Sequence, residues 1–309
     1  MTQKSQPPPL FFKLRRDFST SLHQTLPKKS YTFSAKINLR NLGPTFSNGP
    51  VVLCANFLGK AHEYPIVDSR LKPLIKSNLQ KCIRRRLSSK AVRSAYALLS
   101  ISTFEALRRL IIIILEDTLP VPSLATLVWF MMASSKGYLL TTNQVEWILG
   151  VVYLVCEKVS YRRPFKEKLP TGLLADNSIE TQILWSMAFR RAYGGMKGDQ
   201  EMMECLGGLW YRTFLEKSGR EWERWSELKK LEIEPVDLTS LGTFVPQKVF
   251  IPACVDQHCR PQIIPYIRKN YPDMEESDIK GAIWLCRSRL NKRPYTPFPF
   301  FVNLFVKLS

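Results

Sequence analysis

From Leu71 onward the apolar residues recur with the period of an α-helix, and this constrains the fold more than any other feature of the chain. Leu71, Ile75, Leu79 and Cys82 or Ile83 fall at i, i+4, i+8 and i+11 or i+12, a single helical stripe. Ser88 is placed to cap a second helix with Val92, Ala95, Leu98 and Leu99 on its buried side. A third helix is expected from about Thr103 to Asp117, with Leu107, Leu110, Ile111 and Ile114 inward. Pro120 and Pro122 separate it from a fourth, roughly Ser123 to Ser135, and after Gly137 comes a fifth, from about Thr142 to Glu157. A sixth, Ile179 to Tyr193, carries Trp185 and Phe189 one turn apart and is broken by Gly194-Gly195. In a seventh, Asp199 to Ser218, the stripe of Met202, Met203, Leu206, Leu209 and Trp210 reads as core rather than as a cofactor box. Residues 220–237 are mixed in charge, and Pro235 opens a loop.

Ahead of this helical part, Met1 to Pro9 is polar and proline-rich, the composition of a disordered start. Leu10 to Ser21 fits a short amphipathic basic helix. Such an acid-poor stretch also suits a mitochondrial transit peptide, with Arg16-Asp17-Phe18-Ser19 resembling a matrix-processing site. Residues 30–57, with Tyr31-Thr-Phe-Ser-Ala and Val51-Val-Leu-Cys-Ala, read as one or two short strands or extended segments, punctuated by Gly43-Pro44 and Asn48-Gly49-Pro50. The expected fold is therefore mainly α: a multi-helix array, orthogonal or bundle-like, behind a short extended or β N-terminal segment. Three regions follow: a basic arm over 1–62, a basic helical domain over 63–160, and a second helical region with a basic C-terminal segment over 161–309. The stretch from Tyr161 to Gly172 serves as linker.

Charge narrows the class of partner. The chain holds 45 Lys and Arg against 26 Asp and Glu, an excess of +19 that favours polyanions. Between Arg70 and Arg109 stand eleven Lys or Arg and one acid, Glu105. Cations so dense repel one another, and nucleic-acid phosphate is the most economical counter-charge. Lys72, Lys76, Lys81, Arg84, Arg85, Arg86 and Arg93 are the expected phosphate contacts, with Arg287, Arg289, Lys292 and Arg293 a second cluster beside Trp284. DNA and RNA fit this pattern equally.

The same letters argue against several chemistries. Seven cysteines scattered over 309 residues do not form a disulfide framework and suit an intracellular, reducing compartment. No apolar run reaches about 18 residues, the closest being Leu110 to Leu115, so no membrane span is expected. Gly198-Asp199 and Gly207-Gly208 lack phosphate-loop spacing, and no cofactor is expected. Cys254, His258, Cys259 and Cys286 have the right elements for a tetrahedral zinc site, but no CxxC pair is present and adjacent His258-Cys259 is poor ligand spacing, so no metal is assigned. Arg108-Arg109 and Glu116-Asp117 can meet only through another helix, which would tie neighbouring helices together at their ends. A metal-dependent nuclease would instead need Glu116 and Asp117 to converge with Asp68, Asp256 and His258.

Two resemblances add to this reading. Leu79-Gln-Lys-Cys-Ile-Arg-Arg, Ala91, Ala95 and Leu107-Arg-Arg-Leu-Ile-Ile-Ile-Ile-Leu-Glu-Asp117 resemble the helical collar of clamp-loader-related AAA+ ATPases, over about residues 72–120. The ATPase module has no counterpart here, so ATP hydrolysis is not implied. These segments, with Val255-Asp-Gln-His-Cys259 and Ala282-Ile-Trp to Asn291-Lys-Arg293, also resemble a family of large DNA viruses of algae and protists. That resemblance brings no catalytic residues and implies a setting in viral genome replication or expression, in the virus factory, nucleus or virion. The expected function is a non-catalytic nucleic-acid-binding accessory or assembly factor, with protein partners in a replication, transcription or virion assembly. The alternatives are the nuclease and a structural virion protein.

Overall fold

The computed structural model describes residues 9–25, 31–39, 50–57, 59–158, 177–251, 254, 264–265, 267–269 and 271–280. Four strands, β1 (Leu10–Leu14), β2 (Thr20–His23), β3 (Phe33–Ile37) and β4 (Val51–Ala55), form one mixed sheet of order β2-β1-β4-β3. β1 pairs antiparallel with β2 and parallel with β4, and β3 pairs antiparallel with β4. The helix expected over residues 10–21 is thus a hairpin, and the N-terminal segment is a sheet rather than only extended chain. Pairing with β4 decides it, and in the strand Phe11, Phe12 and Leu14 are buried while Lys13 is only partly so. Asp17 closes the turn by accepting hydrogen bonds from the Ser19 N–H at 3.0 Å and hydroxyl at 2.7 Å. Phe18 is held there at φ 61°, its ring 5.3 Å from that of Trp147.

The helices include α1 (Lys72–Arg84), α2 (Ser88–Ile101), α3 (Thr103–Asp117), α4 (Leu124–Ser134), α5 (Thr142–Lys158), α6 (Ile179–Ala192), α7 (Lys197–Glu216), α8 (Gly219–Leu228) and a single turn, α9 (Pro246–Val249). The predicted stripes are the buried faces: Ile75, Leu79, Cys82 and Ile83 on α1, and Leu107, Leu110, Ile111 and Ile114 on α3. α2 is entered through Leu87 and not through the Ser88 side chain, whereas Ser102 caps α3 by accepting from the Glu105 N–H. α4 is apolar all round and buried along most of its length, so it sits inside the array with α3 and α6 packed on it. α8 lies in the stretch that the sequence shows only as mixed charge. Its Trp225 is fully buried and donates its indole N–H to the Pro120 carbonyl at 2.9 Å.

Sheet and helices share one apolar core running from Phe12 to Ile279. Trp129 of α4 joins the two layers by donating its indole N–H to the Phe12 carbonyl at 2.9 Å. Asn78 of α1 is fully buried, donating to Ser94 Oγ at 2.8 Å and the Val249 carbonyl at 3.2 Å and accepting from the Ile251 N–H at 2.9 Å. Residues 249–251 are thereby fastened onto α1 and α2. The chain after α8 also crosses α5 at Gly150, where a Cβ would meet the Glu234 carbonyl oxygen at 2.3 Å, so only glycine allows that approach.

Of the seven cysteines, Cys54, Cys82, Cys156, Cys205 and Cys254 are described, and no disulfide joins any of them. Burial pushes the Cys82 and Cys156 thiols up to about 12, so both stay protonated and act as small apolar side chains. Among the described residues no helix is long and apolar enough to cross a membrane.

Candidate nucleic-acid interface

α1 ends in a Schellman turn. The Leu87 N–H donates to the Cys82 carbonyl at 2.9 Å, and the Arg86 N–H to the Ile83 carbonyl at 3.1 Å. This geometry puts Arg86 at φ 58°, in the left-handed region where glycine is the usual residue. A side chain with a Cβ pays roughly 1–2 kcal/mol to stand there. Arg86 is exposed, and the Arg85 and Lys90 charges both act on the buried Cys82 thiol, while that of Arg86 acts on Cys156. Arg85, Arg86 and Lys90 therefore gather around the α1–α2 turn, and Arg93 follows Lys90 at i+3 on α2. Among the described residues no carboxylate lies within 4.0 Å of Arg86, Lys90 or Arg93.

The other expected contacts on α1 and at its start, Lys72, Lys76, Lys81 and Arg84, are engaged inside the protein. Glu105 at the start of α3 binds Lys72 at 3.3 Å and Lys76. At the far end of α3, the fully buried Asp117 carboxylate takes the Arg84 Nη2 at 2.7 Å and Nε at 2.9 Å, with Glu116 at 3.7 Å from the same guanidinium. Gln80 stands between these ends: Arg109 donates to its side-chain oxygen, and its amide donates to Glu116 at 2.9 Å and Asp117 at 3.1 Å. Arg109 and the Glu-Asp pair of α3 do meet through another helix, and that helix is α1, with Gln80 as the adaptor, whereas Arg108 donates to the Gly194 carbonyl. Three carboxylates of α3 thus answer three of the cations expected to contact phosphate. Lys81 donates to Ser77 Oγ at 3.1 Å along its own helix.

The Lys76 hydrogen bond, supported by Lys72, holds the Glu105 carboxyl below its ordinary 4.5 against the opposing effect of burial. A lowered carboxyl contributes stability that is fully present above the unfolded value and is lost as the pH falls through the folded one. Glu105→Gln is accordingly expected to be less stable than the unmodified chain at pH 7, with the gap closing below about pH 4.5. Urea midpoints at pH 7 and pH 3 measure it, and an undiminished gap at pH 3 would assign the loss to something other than this ion pair.

The nuclease arrangement does not assemble among the described residues. Asp68 is exposed and spent on Arg70 at 2.7 Å, and no three His, Cys, Asp or Glu side chains are grouped to hold a metal ion. Cys254 is buried. Asp256, His258, Cys259, Trp284, Cys286, Arg287, Arg289, Lys292 and Arg293 lie outside the described residues, as does the linker from Tyr161 to Gly172.

A second feature was not anticipated from the sequence. Arg190 of α6 is only 1% exposed and lines a cleft of about 620 Å³ together with Lys72, Lys76, Arg108, Arg109 and Glu105. Burial, with the Arg108 charge second, lowers Arg190 to about 10, which leaves it cationic at neutral pH. Its signal in the sequence was a cation on an apolar stripe, since Ile183, Met187 and Arg190 are spaced i, i+4, i+7. Comparison with protein-family models, curated proteins and solved structures finds no match to this chain.

Proposed function

We propose that the chain is a non-catalytic nucleic-acid-binding accessory or assembly factor that contacts backbone phosphates through the α1–α2 turn. The observation that carries this reading is Arg86, a cation in the position of an α1 terminus that favours glycine. A residue kept in a costly backbone conformation, exposed and without a carboxylate among the described residues, points to a ligand outside the fold. Arg85, Lys90 and Arg93 extend the patch, and phosphate contacts of this type position a protein without reading sequence. Lys72, Lys76 and Arg84 serve chiefly to join α1 to α3. The resemblance to proteins of large DNA viruses sets the proposed activity in viral genome replication or expression.

Binding to single- and double-stranded DNA and RNA across a salt series tests this reading. Affinity is expected to fall steeply with salt, and Arg86→Gly and Arg93→Glu are each expected to flatten the duplex-DNA slope by about 0.9. Arg86→Gly relieves the left-handed residue, so it should also raise stability by up to about 1 kcal/mol while weakening binding. A protein that retains no nucleic acid even at low salt, or an Arg86→Gly variant with undiminished binding, overturns the assignment. Magnesium-dependent cleavage of the probes would restore the nuclease.

A further inference from the structure

Charge in the cleft between α1, α3 and the α6–α7 junction is out of balance. Lys72, Lys76, Arg108, Arg109 and Arg190 line it against Glu105 and Asp199, five cations to two carboxylates. Glu105 is occupied by the two lysines, and Arg109 donates to Gln80. Arg108 and Arg190 are left to share one neutral acceptor, the Gly194 carbonyl, at 3.3 Å and 2.7 Å. Among the described residues Arg190 Nε has no hydrogen-bond partner, nor has Arg109 Nε. Asp199 favours the charged form of Arg190, yet among the described residues no carboxylate reaches within 4.0 Å of that guanidinium.

Such a group is expensive. An arginine remains charged in a protein, and a buried charge is ordinarily paired or bound to an ion. Two guanidiniums converging on a single carbonyl present a fork of donors suited to a tetrahedral oxyanion. The backbone is shaped to them as well. A Cβ on Gly195 would stand 3.3 Å from Arg108 Nη2 and 3.6 Å from Arg190 Nη1, and φ of 149° there already excludes most side chains.

We infer that this cleft binds a phosphate group, gripped by Arg108 and Arg190 at its floor and by Lys72 and Lys76 at its rim. The inference does not depend on nucleic-acid binding at the α1–α2 turn. The phosphate comes either from a small phosphorylated compound or from the terminal phosphate of a nucleic acid. Phe104, 6.0 Å from the Arg108 guanidinium, holds that side chain over its ring at the cleft wall.

Titration calorimetry of the full chain with pyrophosphate tests the inference. Saturable one-site binding is expected, weakened about tenfold or more by Arg108→Ala and further by Arg190→Gln. Arg108 is only partly buried, so its variant carries the test should Arg190→Gln fail to fold. Arg86→Gly is expected to leave the pyrophosphate affinity unchanged, which keeps the two sites separable. Displacement of pyrophosphate by a 5′-phosphorylated oligonucleotide but not by its 5′-hydroxyl counterpart assigns the phosphate to a nucleic-acid end. Failure of both to displace it assigns a small compound. No binding at millimolar pyrophosphate, or equal binding by Arg108→Ala, overturns the site.

Discussion

Trp129→Ala is expected to cost about 3–5 kcal/mol, a large share of the roughly 5–15 kcal/mol that separates folded from unfolded proteins. The indole is fully buried on α4, with rings of Phe33 at 5.8 Å, Phe130 at 5.8 Å and Tyr138 at 5.2 Å. Truncation removes this apolar area and leaves a cavity whose walls, the sheet on one side and helices on the other, cannot easily collapse together. It also strips the Phe12 carbonyl of its indole donor. Trp129→Phe keeps most of the volume and loses the N–H, so its cost should be nearer 1–2 kcal/mol. Denaturant midpoints for the two variants separate cavity from hydrogen bond. Equal losses would show that the ring fills no space that matters.

Arg84→Met should be the most damaging substitution on the α1–α3 seam, at about 2–3 kcal/mol. The reason is asymmetry between the partners. Asp117 is wholly buried, and without Arg84 its carboxylate keeps, among the described residues, only the Gln80 amide, whereas Arg84 is about one-third exposed and can turn to water if Asp117 is neutralised. Breaking a fully buried pair costs roughly 3–5 kcal/mol, and the exposure of Arg84 lowers the figure here. Asp117→Asn should therefore cost less than Arg84→Met, and the double variant less than the sum. A double-mutant cycle read by chemical denaturation measures the coupling, and strict additivity would mean the two groups do not interact. It follows that loss of nucleic-acid binding by an Arg84 variant is ambiguous, which is why Arg86 and Arg93 are the informative positions.

Most helices could be read from the sequence because each carries a stripe that only one period satisfies. α3 is the clearest case, with Leu107, Leu110, Ile111 and Ile114 between Ser102 and Thr118. α8 was missed because only Trp222, Trp225 and Leu228 mark its face, among seven charged or small residues. The β1–β2 hairpin was misread because Leu10-Phe-Phe-Lys-Leu-Arg-Arg satisfies either period, and pairing with β4 some forty residues away decides it. The basic patch was legible as composition, but its division was not. Which cations are internal depends on carboxylates 29–33 residues distant, at Glu105 and Asp117. Arg190 was overlooked for the same reason, since nothing local reveals that its acceptors fall short.

The position of β1 in the middle of the sheet has a consequence during synthesis. Phe12 meets the ring that seals it 117 residues later, at Trp129. β2 waits longer, because the Leu22 N–H donates to the Asn177 side chain at 2.8 Å, 155 residues further on. At a ribosomal pace of about 5–20 residues per second, Leu10-Phe-Phe-Lys-Leu emerges on the order of ten seconds before its cover exists. Of the described elements β1 leaves the tunnel before the others, yet it is among the last to be enclosed. During that interval an apolar strand with open edges needs shielding, by a chaperone or by the positive charge around it, from pairing with its neighbours on the same polysome.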